Sequence, residues 1–161
     1  ELKISRSLAK NIRNKGYEVR IDTAFSSVLE GCSGPRKGGA GTWLSPQMQA
    51  AYLALHRAGH AHSFETWRGN DLVGGLYGVA IGRMFYGESM FSRATDASKV
   101  ALVTLVNTLR EKGFPIIDCQ MRTPLLASLG AREIPRRAFL RKLTALVNYP
   151  VSPGSWKMSG V

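Results

Sequence analysis

The sequence predicts an α/β fold, a mixed β-sheet with helices packed on both faces. Three observations carry that expectation. Residues 61–91 hold strand-like stretches joined by short turns, an amphipathic helical stretch follows from Asp96, and a short apolar stretch lies at 116–121. A meander followed by a strand–helix–strand crossover mixes antiparallel and parallel pairing in one sheet. The length agrees: 161 residues is one domain's worth of chain and can bury a core without metals or cross-links. The two cysteines, Cys32 and Cys119, make no disulfide framework and suit a reducing compartment.

Taken in order, residues 5–14 read as a helix with Ile4, Leu8 and Ile12 in one stripe and Arg6, Lys10 and Arg13 in another. Gly16 ends it, and 17–21 alternates as a strand. Asp22 or Thr23 is the expected cap of a second helix running to about Glu30. A basic, glycine-rich loop follows at 31–41. It is not a Walker loop, because no Lys-Ser/Thr follows its last glycine. Ser45-Pro46 opens a third helix, with Ser as cap and Pro in the first turn. Strands are expected at 61–67, 71–81 and 83–91, the first pair joined by the turn Arg68-Gly69-Asn70. Asp96 is the expected cap of the next helix, which Gly113 ends. Pro124 and Pro135 open the last two helices, and the tail from Tyr149 has no pattern. The reading is one domain over 1–147 and an irregular tail over 148–161. This order of elements fits the acetyltransferase-like (GNAT) architecture, which by itself fixes no chemistry.

The charge is uneven. Of a net +11, residues 1–42 contribute +4 and residues 132–161 contribute +5, while 43–92 and 114–131 are neutral. Two basic ends flanking a neutral middle suggest a polyanion footprint rather than a uniformly solvated surface. At 44% hydrophobic the chain is no disordered polycation. The longest uncharged apolar run, 72–82, is too short to span a bilayer. Neither basic helix carries the Trp/Phe-rich face of an interfacial anchor. No secretory leader opens the sequence, so the expected location is cytoplasmic.

Few residues look able to carry chemistry. His56, His60 and His62 form H-x3-H-x-H, but no Glu base adjoins them and Gly59 breaks the helix between the first two. They read as turn and strand histidines, and no metal is expected. If 116–121 is extended, Asp118 and Gln120 share one face, with Ile117, Cys119 and Met121 on the other. A polar pair in an apolar strand should line a cavity, whereas a buried free cysteine is commonly inert. In the third meander strand, alternation places Met84, Tyr86, Glu88 and Met90 on one face and Phe85, Gly87, Ser89 and Phe91 on the other. Glu88 is the only acid between Asp71 and Asp96. It is either satisfied by backbone donors or used on a cationic ligand.

Several stretches together resemble one family. They are Gly41-Thr-Trp43, Gly59-His-Ala-His-Ser63, Leu72-Val-Gly-Gly-Leu-Tyr-Gly-Val79, Gly87-Glu-Ser-Met-Phe-Ser-Arg93, Asp96-Ala-Ser-Lys99, Ile117-Asp-Cys-Gln120 and Ala127-Ser-Leu-Gly-Ala-Arg-Glu-Ile-Pro-Arg-Arg137. From about residue 3 to 147 the chain is similar to the bacterial leucyl/phenylalanyl-tRNA–protein transferases. The resemblance implies a GNAT-like fold that uses no coenzyme A and no other cofactor. It implies transfer of Leu or Phe, and Met less well, from aminoacyl-tRNA to the N-terminal Arg or Lys of acceptor proteins. Acceptors so modified are marked for degradation in the N-degron pathway. The segment Ser92-Arg-Ala-Thr-Asp-Ala97 lacks the pyrophosphate turn of acetyl-CoA enzymes, in keeping with a tRNA donor.

By resemblance Asp118 and Gln120 lie at the reacting centre. Glu88 is expected to orient the acceptor or pair with its basic N-terminal side chain, and Trp43 to stack on the terminal adenosine. Leu76, Met84, Phe85, Met90 and Leu102 are candidates for the apolar pocket that takes the transferred side chain, with core packing the alternative for each. Arg6, Lys10, Arg13 and Lys15 are the expected tRNA-backbone contacts, with Arg132, Arg136, Arg137 and Arg141 second. The protein is expected to be a monomer that touches no membrane. The family also carries a small N-terminal domain with a Trp-Trp-Ser-Pro-type motif; that motif does not occur in these residues, so the reading is of a catalytic domain cut from a longer chain. Two rivals stand beside it: an acyltransferase with a small thioester donor, and a non-catalytic RNA-binding domain.

Overall fold

Four antiparallel strands and one short parallel strand form the sheet in a computed structural model that describes residues 1–34, 44–151 and 153–156. The elements are α1 (Arg6–Asn14), β1 (Glu18–Ile21), α2 (Phe25–Ser33), α3 (Pro46–Arg57), β2 (Ala61–Arg68), β3 (Asp71–Ile81), β4 (Met84–Ser92), α4 (Ala97–Glu111), β5 (Ile116–Asp118), α5 (Pro124–Ser128) and α6 (Arg136–Val147). Strand order follows the chain, β1 to β5, with only β4 and β5 parallel. The mixed α/β architecture expected from the sequence is therefore present.

Alternation along the strands separates two cores. On one face, Phe64, Leu76 and Phe85 pack with Leu8 of α1 and with Val100, Leu105 and Leu109 of α4. On the other, Ala61, Tyr77 and Val79 pack with Phe25, Val28 and Leu29 of α2, and Tyr52 and Leu53 of α3 close over them. Ser5, Ser45 and Thr123 cap their helices as their hydroxyls allow, each accepting a backbone N–H from the first turn.

Two expected caps work differently. Asp22 adopts a positive φ of 57° and turns its carboxylate into the core. There it accepts the Ser63 N–H at 2.9 Å and the Trp156 N–H at 2.9 Å, and it meets His62 Nδ1 at 2.9 Å. The start of α2 is instead served from the sheet: the buried Glu65 carboxylate accepts the N–H groups of Thr23 and Ala24 and the hydroxyls of Thr23 and Ser63. Asp96 likewise has φ 63° and makes no cap bond; it holds Asn11 at 2.6 Å and Lys99 at 2.8 Å, tying α1 to the start of α4. A carboxylate takes whichever donors desolvate it least, and in both cases tertiary donors replace the local ones.

The described part of the tail has no helix or strand, yet it supplies a core residue. Trp156 stacks on His62 with ring centroids 3.8 Å apart and meets Phe114 at 5.6 Å and Phe85 at 6.0 Å. Gly59 permits this route: its φ is +78°, and a Cβ there would come within 2.5 Å of the Gly154 nitrogen.

Burial alone would raise the Asp22 pKa, but the His62 ring and the two backbone donors outweigh it and hold the carboxyl below the usual range. A lowered pKa means that Asp22 stabilises the fold above about pH 4, and that this contribution disappears as pH falls through the lowered value. Asp22→Asn should reduce the urea midpoint at neutral pH, at a cost of about 1–3 kcal/mol, and flatten its fall between about pH 4 and 2. Parallel acid limbs in the two proteins would refute that role.

Candidate active site

One irregularity positions the site. β3 and β4 pair in register from Gly74↔Ser92 to Tyr77↔Ser89 and again from Gly78↔Gly87, so Glu88 is the extra residue of a β-bulge. A bulge re-aims a side chain and ends regular pairing. Here it also overturns the simple alternation expected for the strand. Phe85 and Met90 pack with the α1/α4 core, while Phe91 packs with the α2/α3 core. Gly78 is required at this point, because a Cβ would collide with the Tyr86 carbonyl.

β5 pairs with β4 only through Asp118↔Tyr86, just short of the bulge. The strand expected to reach Met121 therefore stops three residues early. Gln120 takes a φ of 60°, with its N–H donating to Asp118 Oδ1 at 2.8 Å, and the Met121 N–H closes a tight turn on the Cys119 carbonyl at 2.6 Å. Asp118 and Gln120 are thus brought together by a turn, not by a shared strand face. The turn aims the Gln120 amide at the bulge, where its Nε2 donates to Glu88 Oε2 at 3.2 Å.

Tyr52 of α3 completes the group, its hydroxyl donating to Glu88 Oε2 at 2.9 Å. The sequence gives Tyr52 only a place within the helix that opens at Ser45-Pro46, and no local signal distinguishes it. Burial, then the hydrogen bond and charge of Glu88, push the Tyr52 phenol well above the ordinary tyrosine range, so it stays a donor. Its ring meets Tyr77 edge-on at 5.0 Å. Cys119 is half-buried; burial and the Asp118 charge raise its thiol, which disfavours the thiolate a nucleophile needs.

Beside this group a cleft of about 820 Å³ runs along β5, between α4 and the α5–α6 segment. Leu102, Val106, Leu109, Phe114 and Ile117 give it an apolar wall, and Asp118 and Gln120 lie on its lining. That volume falls within the ~300–1,000 Å³ of small-molecule sites. Of the candidate pocket residues, Leu102 lines the cleft, Leu76 and Phe85 lie in the core behind it, and Met90 packs against that core. Met84 is buried and belongs to neither core. Trp43 lies outside the described residues.

Arg6, Lys10 and Arg13 are exposed on α1, and Lys15 lies near the Asp96 carboxylate. Arg132, Arg136, Arg137 and Arg141 are exposed on and before α6. Among the described residues no cluster of His, Cys, Asp or Glu could hold a metal ion, and no helix is long and apolar enough to cross a membrane. His56 Nδ1–H donates to the Ala61 carbonyl at 2.8 Å, and the ring stacks on Phe25.

A family profile described as leucyl/phenylalanyl-tRNA protein transferase matches residues 1–144. The chain belongs to this family. It is 62% identical over 156 residues to the leucyl/phenylalanyl-tRNA–protein transferase of Thiobacillus denitrificans, covering 97% of this chain and 68% of that protein. The Chromobacterium violaceum relative of the same name is 58% identical, with 97% and 67% covered. The chain thus spans about two thirds of the length of these relatives. Among solved structures, an acetyltransferase of Trypanosoma brucei aligns with a TM-score of 0.50 at 20% identity, over 74% of this chain and 95% of that one, a likeness of fold alone. Family membership makes this protein an aminoacyltransferase on the acetyltransferase-like fold.

The Tyr52–Glu88 bond can be checked without substrate. Removing the Glu88 charge should lower the Tyr52 pKa, since that charge raises it. Tyr52 and Tyr77 are the two phenols held highest and the Glu88 charge raises both, so in a spectrophotometric titration of the five tyrosines Glu88→Gln should bring this late-ionising pair down in pH. An unchanged curve would show that the two groups are uncoupled.

Proposed function

We propose that this transferase moves Leu or Phe, and Met less well, from an aminoacyl-tRNA to the α-amine of a protein beginning with Arg or Lys, marking that protein for degradation. In this reading it works as a cytoplasmic monomer. The observation that carries it is the junction at Gln120: one residue lines an apolar cleft and also bonds to the buried-edge carboxylate Glu88.

The reaction is aminolysis of an ester. The acceptor nitrogen attacks the aminoacyl carbonyl carbon, and a C–N bond forms. The tetrahedral intermediate then collapses, the C–O bond to the terminal ribose breaks, and the proton lost by nitrogen ends on the ribose oxygen. No oxidant, metal or cofactor is needed for this balance. The ester is already activated, so holding both reactants in attack geometry can supply about 7–11 kcal/mol.

Each polar group has a place in that scheme. Gln120 spends its Nε2 on Glu88, which leaves its carbonyl oxygen to accept a hydrogen bond from the acceptor amine. An amide is a poor base, so its role is to hold the amine while Glu88 and Asp118 stabilise the charge that develops on nitrogen. Glu88, fixed by Tyr52, also suits the basic side chain of the acceptor. Asp118 has the second task of locking the left-handed turn that aims Gln120. The cleft takes the transferred side chain. Shape excludes β-branched residues there, but a single methylene is worth only about 1–3 kcal/mol, so selection among Leu, Phe and Met is graded.

The deciding experiment incubates the chain with labelled Phe-tRNA and an Arg-starting peptide. Transfer of label supports this reading; binding without transfer favours an RNA-binding domain, and neither favours a thioester enzyme. Asp118→Ala should lower kcat about 10–150-fold, the range set by losing a hydrogen bond to a charged group, with Phe-tRNA affinity nearly unchanged. A raised KM with normal kcat would overturn the assignment.

A further inference from the structure

The cleft is apolar within and cationic around. Arg110, Arg122, Arg132, Arg136 and Lys142 line it, against Glu1, Asp118 and Glu133. All five cations are exposed, and among the described residues none of them forms an ion pair. Lys99, by contrast, is already bonded to Asp96. Exposed cations that are left unpaired around an apolar slot fit one ligand chemistry well: a chain of phosphates that ends in an apolar group.

The geometry points to this rim as a second RNA-contacting surface, one that grips the single-stranded 3′ end of the donor apart from the contacts made by α1. The inference rests on the tRNA-donor reading above and adds to it where the terminal phosphates sit. Their positions along α4 separate the surfaces. α1 is tied to Asp96, at the start of α4, whereas the cleft lies along the other end, from Leu102 to Arg110. At 1.5 Å of rise per residue, Asp96 and Arg110 stand about 21 Å apart along the axis of α4. A rigid duplex lying at the Asn11 end of α1 would need a flexible extension to reach the Arg110 end of the cleft.

The same charges sort the two substrates. A cationic rim repels an acceptor that begins with Arg or Lys. Glu88 is not part of the cleft lining, and it faces Tyr52 of α3, on the opposite side of the sheet from α4. Donor and acceptor therefore approach from different sides and meet at Gln120, which belongs to both.

A shortened donor separates the two RNA surfaces. The triple variant Arg122→Gln, Arg132→Gln and Arg136→Gln is compared with Arg6→Gln, Lys10→Gln and Arg13→Gln, using Phe-charged tRNA and a Phe-charged 3′-terminal trinucleotide. All six positions are exposed, so folding should persist, and a melting curve checks it. The rim variant should lose about tenfold or more in kcat/KM with both donors and show a flatter salt dependence. The α1 variant should lose as much with tRNA and almost nothing with the trinucleotide. Equal loss by both variants on the trinucleotide, or no loss by the rim variant on it, would overturn the assignment. Should the unsubstituted chain transfer from neither donor, the transfer reading fails. Trinucleotide binding, followed by fluorescence anisotropy, then decides the rim: weaker binding by the rim variant alone supports it, and equal binding refutes it.

Discussion

The bulge at Glu88 is the constraint on which the site depends. A regular β4 would carry the side chain at this position among the packed apolar residues of one face, where an ionised carboxylate has no donors to meet it. One extra residue breaks the pairing between Tyr77↔Ser89 and Gly78↔Gly87 and frees the carboxylate to reach Tyr52 and Gln120. The same break coincides with the end of β5, whose pairing reaches Tyr86 and goes no further. A sheet that stops pairing at one point opens a wedge there, and backbone left without a ladder partner must turn. The turn through Cys119 and Gln120 meets that demand, and Asp118 holds it from one side.

Most of the fold was legible because it rests on periodicity and caps. Helix starts at Ser45-Pro46 and Thr123-Pro124, the hairpin at Gly69, and the amphipathic face of α4 are local signals, and local physics decides them. What periodicity missed is non-local. Asp22 and Asp96 look like helix caps by type and position, yet their carboxylates are claimed by Trp156, His62, Asn11 and Lys99, some of them far along the chain. The Glu88 bulge has no signature beyond Gly87, and strict alternation mis-sorted Met90 and Phe91 because one added residue reverses every side chain beyond it. Asp118 and Gln120 lie together through a left-handed turn rather than on the common strand face that alternation predicts. Tyr52 carried no signal at all.

The buried acids and the acids of the candidate site obey different arrangements. Glu65 and Asp22 are enclosed and surrounded by donors: hydroxyls, backbone N–H groups and an imidazole. Nothing remains on them for a substrate, and their effect is to lock α2 and the tail onto the sheet. Glu88 and Asp118 are only half-buried, with donors enough to fix direction but not to saturate the oxygens. A carboxylate in that condition has lone pairs to spare for an ammonium group.

That difference bears on why the reaction can proceed without a strong base. A protonated amine arriving at Glu88 is favoured by charge but is no nucleophile until it sheds a proton. Gln120 cannot take that proton; on the proposed reading it holds the neutral amine once water has received it, and the proton lost after the C–N bond forms goes to the departing ribose oxygen. On the proposed reading the positive rim of the cleft contributes in two ways. It would repel further cations from the donor side, and with the terminal phosphates seated there it would stand close enough to the leaving ribose oxygen to lower the cost of its developing negative charge. Selection for charge on the two sides of Gln120 would then both place each reactant and ease the bond-breaking half of the exchange.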